Sequence, residues 1–189
     1  PCLIGMEACS SSHYFARLFT RYGHEVKLIP PQYVKPYVKT NKTDAADAEA
    51  ICEAVTRPNM RFVQIKTEEQ QAVLALHTER GILIRERIAC ANSLRATLAE
   101  FGITIAAGQS HLTRELPAIL EDGENGLSPF VRTSIYRQSK HIRELEEQVK
   151  QVEEALASWY RTQEACQRMA KIPGVGMLTA TYVVAAVGN

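Results

Sequence analysis

The chain has 189 residues, of which 46% are hydrophobic and 23% are charged, and its formal net charge at pH 7 is +1. This balance is typical of a soluble globular protein and excludes disordered and fibrous classes. Apolar runs are interrupted well before the ~18 residues that a membrane span needs, and no signal peptide opens the sequence, so we expect a cytoplasmic protein.

The cysteines indicate no metal site, whereas the charged residues indicate where a basic surface would lie. The five cysteines form no C-x-x-C pair and have no histidine at metal spacing, so we expect reduced core cysteines rather than ligands. Residues 1–66 carry nine Lys/Arg against six Asp/Glu, whereas residues 67–189 carry thirteen against fifteen. Any basic surface should therefore belong mainly to the N-terminal part.

The first thirty residues predict a βαβ unit. Residues 2–6 are short, apolar and bounded by polar residues, which is typical of a buried strand, with Glu7 at its end. An amphipathic helix follows from the serines at 10–12 to Tyr22, and residues 26–29 form a second strand. Such a connection joins parallel strands with a right-handed crossover.

Helical periodicity dominates the rest of the chain. Thr43 should open a helix to about Val55, and residues 61–66 resemble a short strand. Thr67 begins a capping box, after which apolar residues at three- and four-residue steps predict one helix ending near residue 102. Residues 111–120 predict a short helix, and the helical pattern resumes at Pro129.

The helix after Pro129 carries a heptad seam. Two interpretations of this seam are open: a dimeric coiled coil, or antiparallel pairing with the helix over 68–101 in the same chain, because periodicity fixes the buried face and not the partner. The sequence thus predicts an α/β region followed by an all-α region, divided as 1–66, 67–170 and 171–189. The seam residues are Ile142, Leu145, Val149, Val152, Leu156 and Trp159.

The stretch KTDAAD places two carboxylates at a helix start. With Thr43 as N-cap, Asp44 and Asp47 share a face with Ala48, Ile51 and Val55. Two anions near the strand end that carries Glu7 would repel one another unless a cation joined them, and Mg²⁺ or Mn²⁺ prefers carboxylate oxygens. The alternative, favoured on this spacing alone, is a capped helix start in which the acids complement the macrodipole.

Two further segments predict nucleic-acid contacts. Lysines and tyrosines without an intervening acid follow the second strand, and such residues hold phosphates and stack bases; a solvated basic loop is the alternative. Near the C-terminus, RMAKIPGVGMLTATYVVAAV resembles a helix-hairpin-helix module that binds DNA backbone, against the alternative of a plain αα-turn. The candidate residues are Lys27, Tyr33, Lys35, Tyr37, Lys39 and Lys42 in the first segment and Gly174 and Gly176 in the second.

Three stretches together resemble one family: GMEACSSSHYFARLF at 5–19, PPQYVKPYVKTNKTDAADAEAICEA at 30–54 and IPGVGMLTATYVVAAVGN at 172–189. Their order and their sequences are similar to those of insertion-sequence transposases. Such transposases have an N-terminal RuvC-like, RNase H-like DEDD domain, a helical middle and a C-terminal transposase domain. These proteins are related to the Piv invertases and include bridge-RNA-guided recombinases.

The resemblance implies a function and a site. Glu7, Asp44 and Asp47 match the second, third and fourth acidic residues of the family's catalytic Mg²⁺ site, while the strand with the first Asp and the serine nucleophile have no counterpart here. It implies a fragment that is inactive alone, that has DNA as its partner and that forms a homodimer through the long helices. Whether a guide RNA also binds stays open. The alternatives are a non-catalytic nucleic-acid-binding and dimerisation module, or a RuvC-type structure-selective nuclease.

Overall fold

The structure is a computed structural model that describes residues 1–38 and 43–187. It has two compact units, one of residues 1–74 with those from Thr179 onward, and one of residues 75–178. No helix in these described ranges is both long enough and apolar enough to cross a membrane. The division predicted at residues 66 and 170 stays a prediction.

The first unit contains the predicted βαβ arrangement. Strands β1 (Leu3–Glu7) and β2 (Glu25–Ile29) are parallel, and helix α1 (Ser12–Arg21) connects them. In the register of the pair, Glu7 lies opposite Ile29. Leu28 and Ile29 are fully buried, as the apolar strand pattern predicts. The prediction of an α/β beginning is confirmed.

The strand predicted at residues 61–66 is wrong in extent. Within the described residues only Val63 pairs, through a single antiparallel bridge in which its N–H donates to the carbonyl of Leu28 at 2.7 Å. Further along, the backbone of Lys66 is satisfied by side chains of α1. Its N–H donates to His13 Nδ1 at 3.2 Å and its carbonyl accepts from Arg17 Nη1 at 2.7 Å, so no strand ladder is needed there.

Short helices replace the expected basic loop. Helix α2 (Pro31–Val34) leads directly into a 3₁₀ helix (Lys35–Tyr37). Helix α3 (Asp44–Val55) follows with the predicted cap, since the Thr43 hydroxyl accepts from the N–H of Ala46 at 3.2 Å. Its buried face joins β2 and α2 in one core cluster, composed of Ile29, Val34, Ala50, Ala54 and Val55.

Gly5 sets the distance between β1 and α3. A Cβ atom added at Gly5 would lie 3.0 Å from Ile51 Cγ2 and 3.0 Å from Val55 Cβ, which is tighter than nine in ten Cβ contacts, so the neighbours would have to shift by a few tenths of an ångström. The missing side chain therefore lets the helix approach the strand backbone directly.

We predict that Gly5→Ala lowers the free energy of unfolding by about 1–3 kcal/mol, because the added methyl overpacks this contact. Urea denaturation followed by far-UV circular dichroism measures the effect. The matched control is Gly123→Ala, where nothing lies within 4 Å of an added Cβ. Equal denaturation midpoints for both variants would contradict the close packing of α3 on β1.

His13 links α1 to the segment that precedes the long helix. Its Nδ1 accepts from the Lys66 N–H at 3.2 Å, and the Lys66 Nζ lies 3.3 Å from its Nε2. Burial lowers the pKa of His13 below 6.5, and the nearby charges of Lys66 and Arg17 lower that pKa further. Between the folded and ordinary pKa values the unfolded chain binds more protons, so stability falls as pH falls through this range.

We predict that His13→Asn, which keeps an acceptor but does not titrate, weakens the loss of stability between about pH 7.5 and 5.5. Thermal denaturation at several pH values measures this slope for both proteins. The pKa of His77 is also lowered, first by burial, so some slope should remain in the variant. His111→Asn is the histidine control, and a wild-type slope in His13→Asn would refute the assignment.

The long helix α4 (Glu68–Ala99) begins at the predicted capping box. The Thr67 hydroxyl accepts from the Gln70 N–H at 3.1 Å, and Gln70 Oε1 accepts from the Thr67 N–H at 2.9 Å. This reciprocal pair satisfies donors at a helix start that have no intrahelical acceptor.

The second unit pairs α4 with α6 (Pro129–Thr162) in antiparallel fashion, with α5 (Gln109–Glu121) beside α6. Arg80 Nε lies 2.7 Å from Glu153 Oε1, and Glu86 Oε1 lies 3.2 Å from His141 Nε2. Residue numbers therefore increase along α4 while those of the partners on α6 decrease, as in an antiparallel pair.

The intrachain alternative for the heptad seam is therefore the one observed, because the seam is covered within one chain. Trp159, its last member, is half-buried. The buried seam residues are Ile142, Leu145, Val149, Val152 and Leu156.

Arg132 on α6 closes the end of α5. Its guanidinium donates to the carbonyls of Leu120 at 3.0 Å, Asp122 at 2.5 Å and Leu127 at 3.1 Å. The last carbonyls of a helix have no intrahelical donor, so this arginine supplies donors where the chain leaves α5.

The cysteine prediction is correct in part. No disulfide is present in the described part of the chain. Cys166 is buried on α7 (Glu164–Met169) and Cys90 is half-buried, and burial raises the pKa of both thiols. The expectation of core positions is wrong for Cys2, Cys9 and Cys52, which are exposed.

Candidate functional site

The acidic candidates lie where β1 and α3 meet. Glu7 is half-buried and shares the strand face of Gly5, because alternate residues of a strand point to the same side. Asp47 is half-buried one helical turn before Ile51, which packs against Gly5. Asp44 is exposed at the first position of α3, one turn further out. Glu7 and Asp47 therefore lie on the strand and the helix that meet at Gly5, and Asp44 lies at the exposed start of that helix.

The buried stripe of α3 is rotated relative to the expected one, and Asp44 and Ala48 both lie outside it. Ala48 was expected on the face of Asp47 and is exposed, whereas Ala50 and Ala54 are fully buried. These two alanines pack with residues of β2 and α2, so the helix is rotated toward them. Asp47 stands at the start of this rotated stripe and Asp44 lies beside it.

The described residues contain no group of three or more His, Cys, Asp or Glu side chains placed to hold a metal ion. The carboxylates Glu7, Asp44 and Asp47 are thus not gathered into a protein-only cluster. Their assignment as catalytic metal ligands stays a prediction. Carboxylates are nevertheless the donor type that Mg²⁺ prefers, and this ion is commonly held by one or two carboxylates together with water and substrate phosphates.

The lysine candidates fall into three situations. Lys27 Nζ lies 3.0 Å from Glu25 Oε1 and 5.1 Å from the centre of the Phe62 ring, so its charge is already partnered. Lys35 is exposed on the 3₁₀ helix. Lys39 and Lys42 lie outside the described residues.

The tyrosine candidates line a cleft whose other polar residues were not predicted from the sequence. Tyr33 and Tyr37 border a cavity of about 330 Å³ together with Arg57, Asn59 and Arg61. The Arg57 guanidinium lies 5.7 Å from the centre of the Tyr37 ring and is paired with Glu53. The signal for the missed residues was the run RPNMR after α3, which holds two arginines within five positions.

The C-terminal candidates lie in a tight turn. Val175 N–H donates to the carbonyl of Ile172 at 3.0 Å, with Pro173 and Gly174 between them. Gly174 has φ 86°, which a type II turn requires at this position. A Cβ added at Gly174 or Gly176 would meet nothing within 4 Å, so the backbone here is open. Helix α8 (Met177–Val187) follows. Both the DNA-binding module and the plain αα-turn have these features, so phosphate binding stays a prediction.

Comparison with known proteins decides the family. The family model for DEDD transposases of the IS110 type, described as "Transposase", matches residues 1–103, more than half of the chain and the part that holds β1 and α3. The chain belongs to this transposase family. The family match confirms the resemblance carried by the three quoted stretches.

Curated relatives of this transposase-family chain agree. The transposase for insertion sequence element IS1328 of Yersinia enterocolitica is 42% identical over 189 residues, 100% of this chain and 56% of that protein. That for IS1111A of Coxiella burnetii is 43% identical over 188 residues, 100% of this chain and 51% of the relative. The putative transposase y4pF/y4sB of Sinorhizobium fredii is 45% identical over 184 residues, 97% and 47% respectively. The chain thus spans about half the length of the curated relatives it matches.

Proposed function

We propose that this chain acts in DNA recombination as part of an insertion-sequence transposase, with Glu7, Asp44 and Asp47 holding Mg²⁺ or Mn²⁺ beside a DNA phosphate. The observation that carries the proposal is the direct packing of α3 on β1 at Gly5, because Glu7 and Asp47 lie on the strand and the helix that meet there. Family membership supports the same chemistry.

The carboxylates have distinct tasks in this proposal. Glu7 and Asp47 are half-buried and held by a packed strand and helix, so they are rigid ligands, while Asp44 is exposed and approachable by substrate. A bound divalent ion would polarise a phosphoryl oxygen and orient it. Because the protein offers no three-ligand cluster in its described residues, the phosphate of the DNA itself would complete the site.

The DNA backbone would be held by cations of the first unit and by the open backbone of the C-terminal turn. Lys35 is exposed and suits phosphate contact, whereas Lys27 must first leave Glu25. Gly174 and Gly176 would allow close approach of a phosphate to the backbone of the C-terminal turn. Lys39 and Lys42 complete the proposed basic set from sequence alone.

We predict that Asp47→Asn and Glu7→Gln each weaken Mn²⁺ binding at least about tenfold, since even changes behind a metal ligand cost 10–100-fold. Calorimetric titration in the presence of a short DNA duplex measures this, with Mg²⁺ as a second ion. Glu49→Gln, an exposed acid on the same helix, is the control.

Unchanged Mn²⁺ affinity in both variants would remove the metal site from the proposal. DNA binding without any metal binding would favour the non-catalytic binding module. Cleavage of branched DNA by this chain alone would favour the structure-selective nuclease.

A homodimer through the long helices is part of the proposal and needs a surface other than the seam, which is buried within one chain. Ile82 and Ile88 on α4 are each 50% exposed and are two of the apolar side chains available for it, beside Phe130 and Tyr136 on α6. We predict a concentration-dependent rise in mass by light scattering that Ile82→Gln with Ile88→Gln reduces. The same mass at every concentration would contradict the dimer.

A further inference from the structure

We propose that the cleft bordered by Tyr33, Tyr37 and the segment 57–61 binds one unstacked nucleotide of a DNA strand. The base would lie against the Tyr33 ring, and the neighbouring phosphate would lie on Arg61. This inference rests on the proposed function, because it takes DNA as the partner. It adds a nucleotide-binding site, with Arg57, Asn59 and Arg61 as residues to which no role in binding was assigned from the sequence.

The cleft has the size and lining of a small-ligand site. Its volume of about 330 Å³ lies near the lower end of the roughly 300–1,000 Å³ of typical ligand pockets, which suits a single nucleotide and excludes a duplex. Pro36 and Met60 complete its lining with apolar surface. Apolar walls with a few polar groups are the usual composition of such sites.

The tyrosines are held differently, and Tyr33 is the one whose ring is open to a base. Tyr37 packs against the core cluster of α3 and has Arg57 over its ring, so its position is fixed from two sides. Tyr33 is 37% exposed on α2, which leaves part of its ring open to a ligand. Stacking of bases on aromatic rings tolerates any sequence, because every base has a π-face.

The charges of the cleft favour an anion. None of the side chains that line it is acidic. Arg57 is engaged by Glu53 and Tyr37, whereas Arg61 makes no ion pair within the described part of the chain. An exposed guanidinium without a carboxylate partner can bind a phosphate with two parallel hydrogen bonds. Asn59 adds an amide that can hydrogen-bond a base edge.

The test uses a single-stranded DNA oligonucleotide containing one 2-aminopurine, whose fluorescence changes when the base leaves its neighbours. We expect Tyr33→Ala and Arg61→Gln each to weaken binding at least about fivefold and to abolish the fluorescence change. Tyr33→Phe should keep both. Tyr22→Ala, at a 73% exposed tyrosine directly after α1, is the aromatic control.

The outcomes separate this inference from the proposed function. If wild type and both cleft variants bind the oligonucleotide equally, the cleft inference is overturned while DNA binding survives. If wild type binds no DNA at all, both are overturned. Titration with a free nucleoside monophosphate forms the second arm. If the monophosphate saturates the protein while the variants bind the oligonucleotide as wild type does, the cleft is a site for a free nucleotide. That result also overturns the inference.

Discussion

The absence of a side chain at Gly5 is the constraint on which the proposed site depends. Because Ile51 and Val55 lie 3.0 Å from where a Cβ would be, α3 packs on the backbone of β1 and not on a layer of side chains. One turn before Ile51 stands Asp47, and two residues after Gly5 on the same strand face stands Glu7. A side chain at this position would push α3 away from β1, so the proposed metal site depends on this glycine.

The local elements could be predicted from sequence because their signals are local. The Thr43 cap and the Thr67–Gln70 box each depend on residues three positions apart, and both form as expected. Tertiary contacts overrode the expected strand at residues 61–66. Residues 61–66 resemble a strand, yet Lys66 satisfies its backbone on α1 side chains, a contact between residues about fifty positions apart that no local pattern contains.

Contacts between distant residues also decide how the candidate site and the heptad seam pack, and local patterns do not contain them. The acids Glu7 and Asp47 could be chosen by type and spacing, but the rotation of α3 that buries Ala50 and exposes Ala48 is set by packing on β2 and α2. For α6 the heptad period fixed the buried face, and charge pairs such as Arg80 with Glu153 show which helix covers it. Arg61 was missed because it lies in a segment without regular structure, while the cleft tyrosines lie on α2 and the 3₁₀ helix earlier in the chain.

Helix α3 connects the two proposed functions of the first unit. Its first turn holds Asp44 and Asp47, and the arginines of the cleft follow its last residue. Acids at the N-terminus complement the helix dipole, so this polarity also stabilises the helix. Its 12 residues span about 18 Å, which separates the cleft from the acids by more than one nucleotide. A DNA strand with a base in the cleft would have to run along α3 to bring a different phosphate to Glu7 and Asp47, so the cleft would set which phosphate reaches the metal ligands.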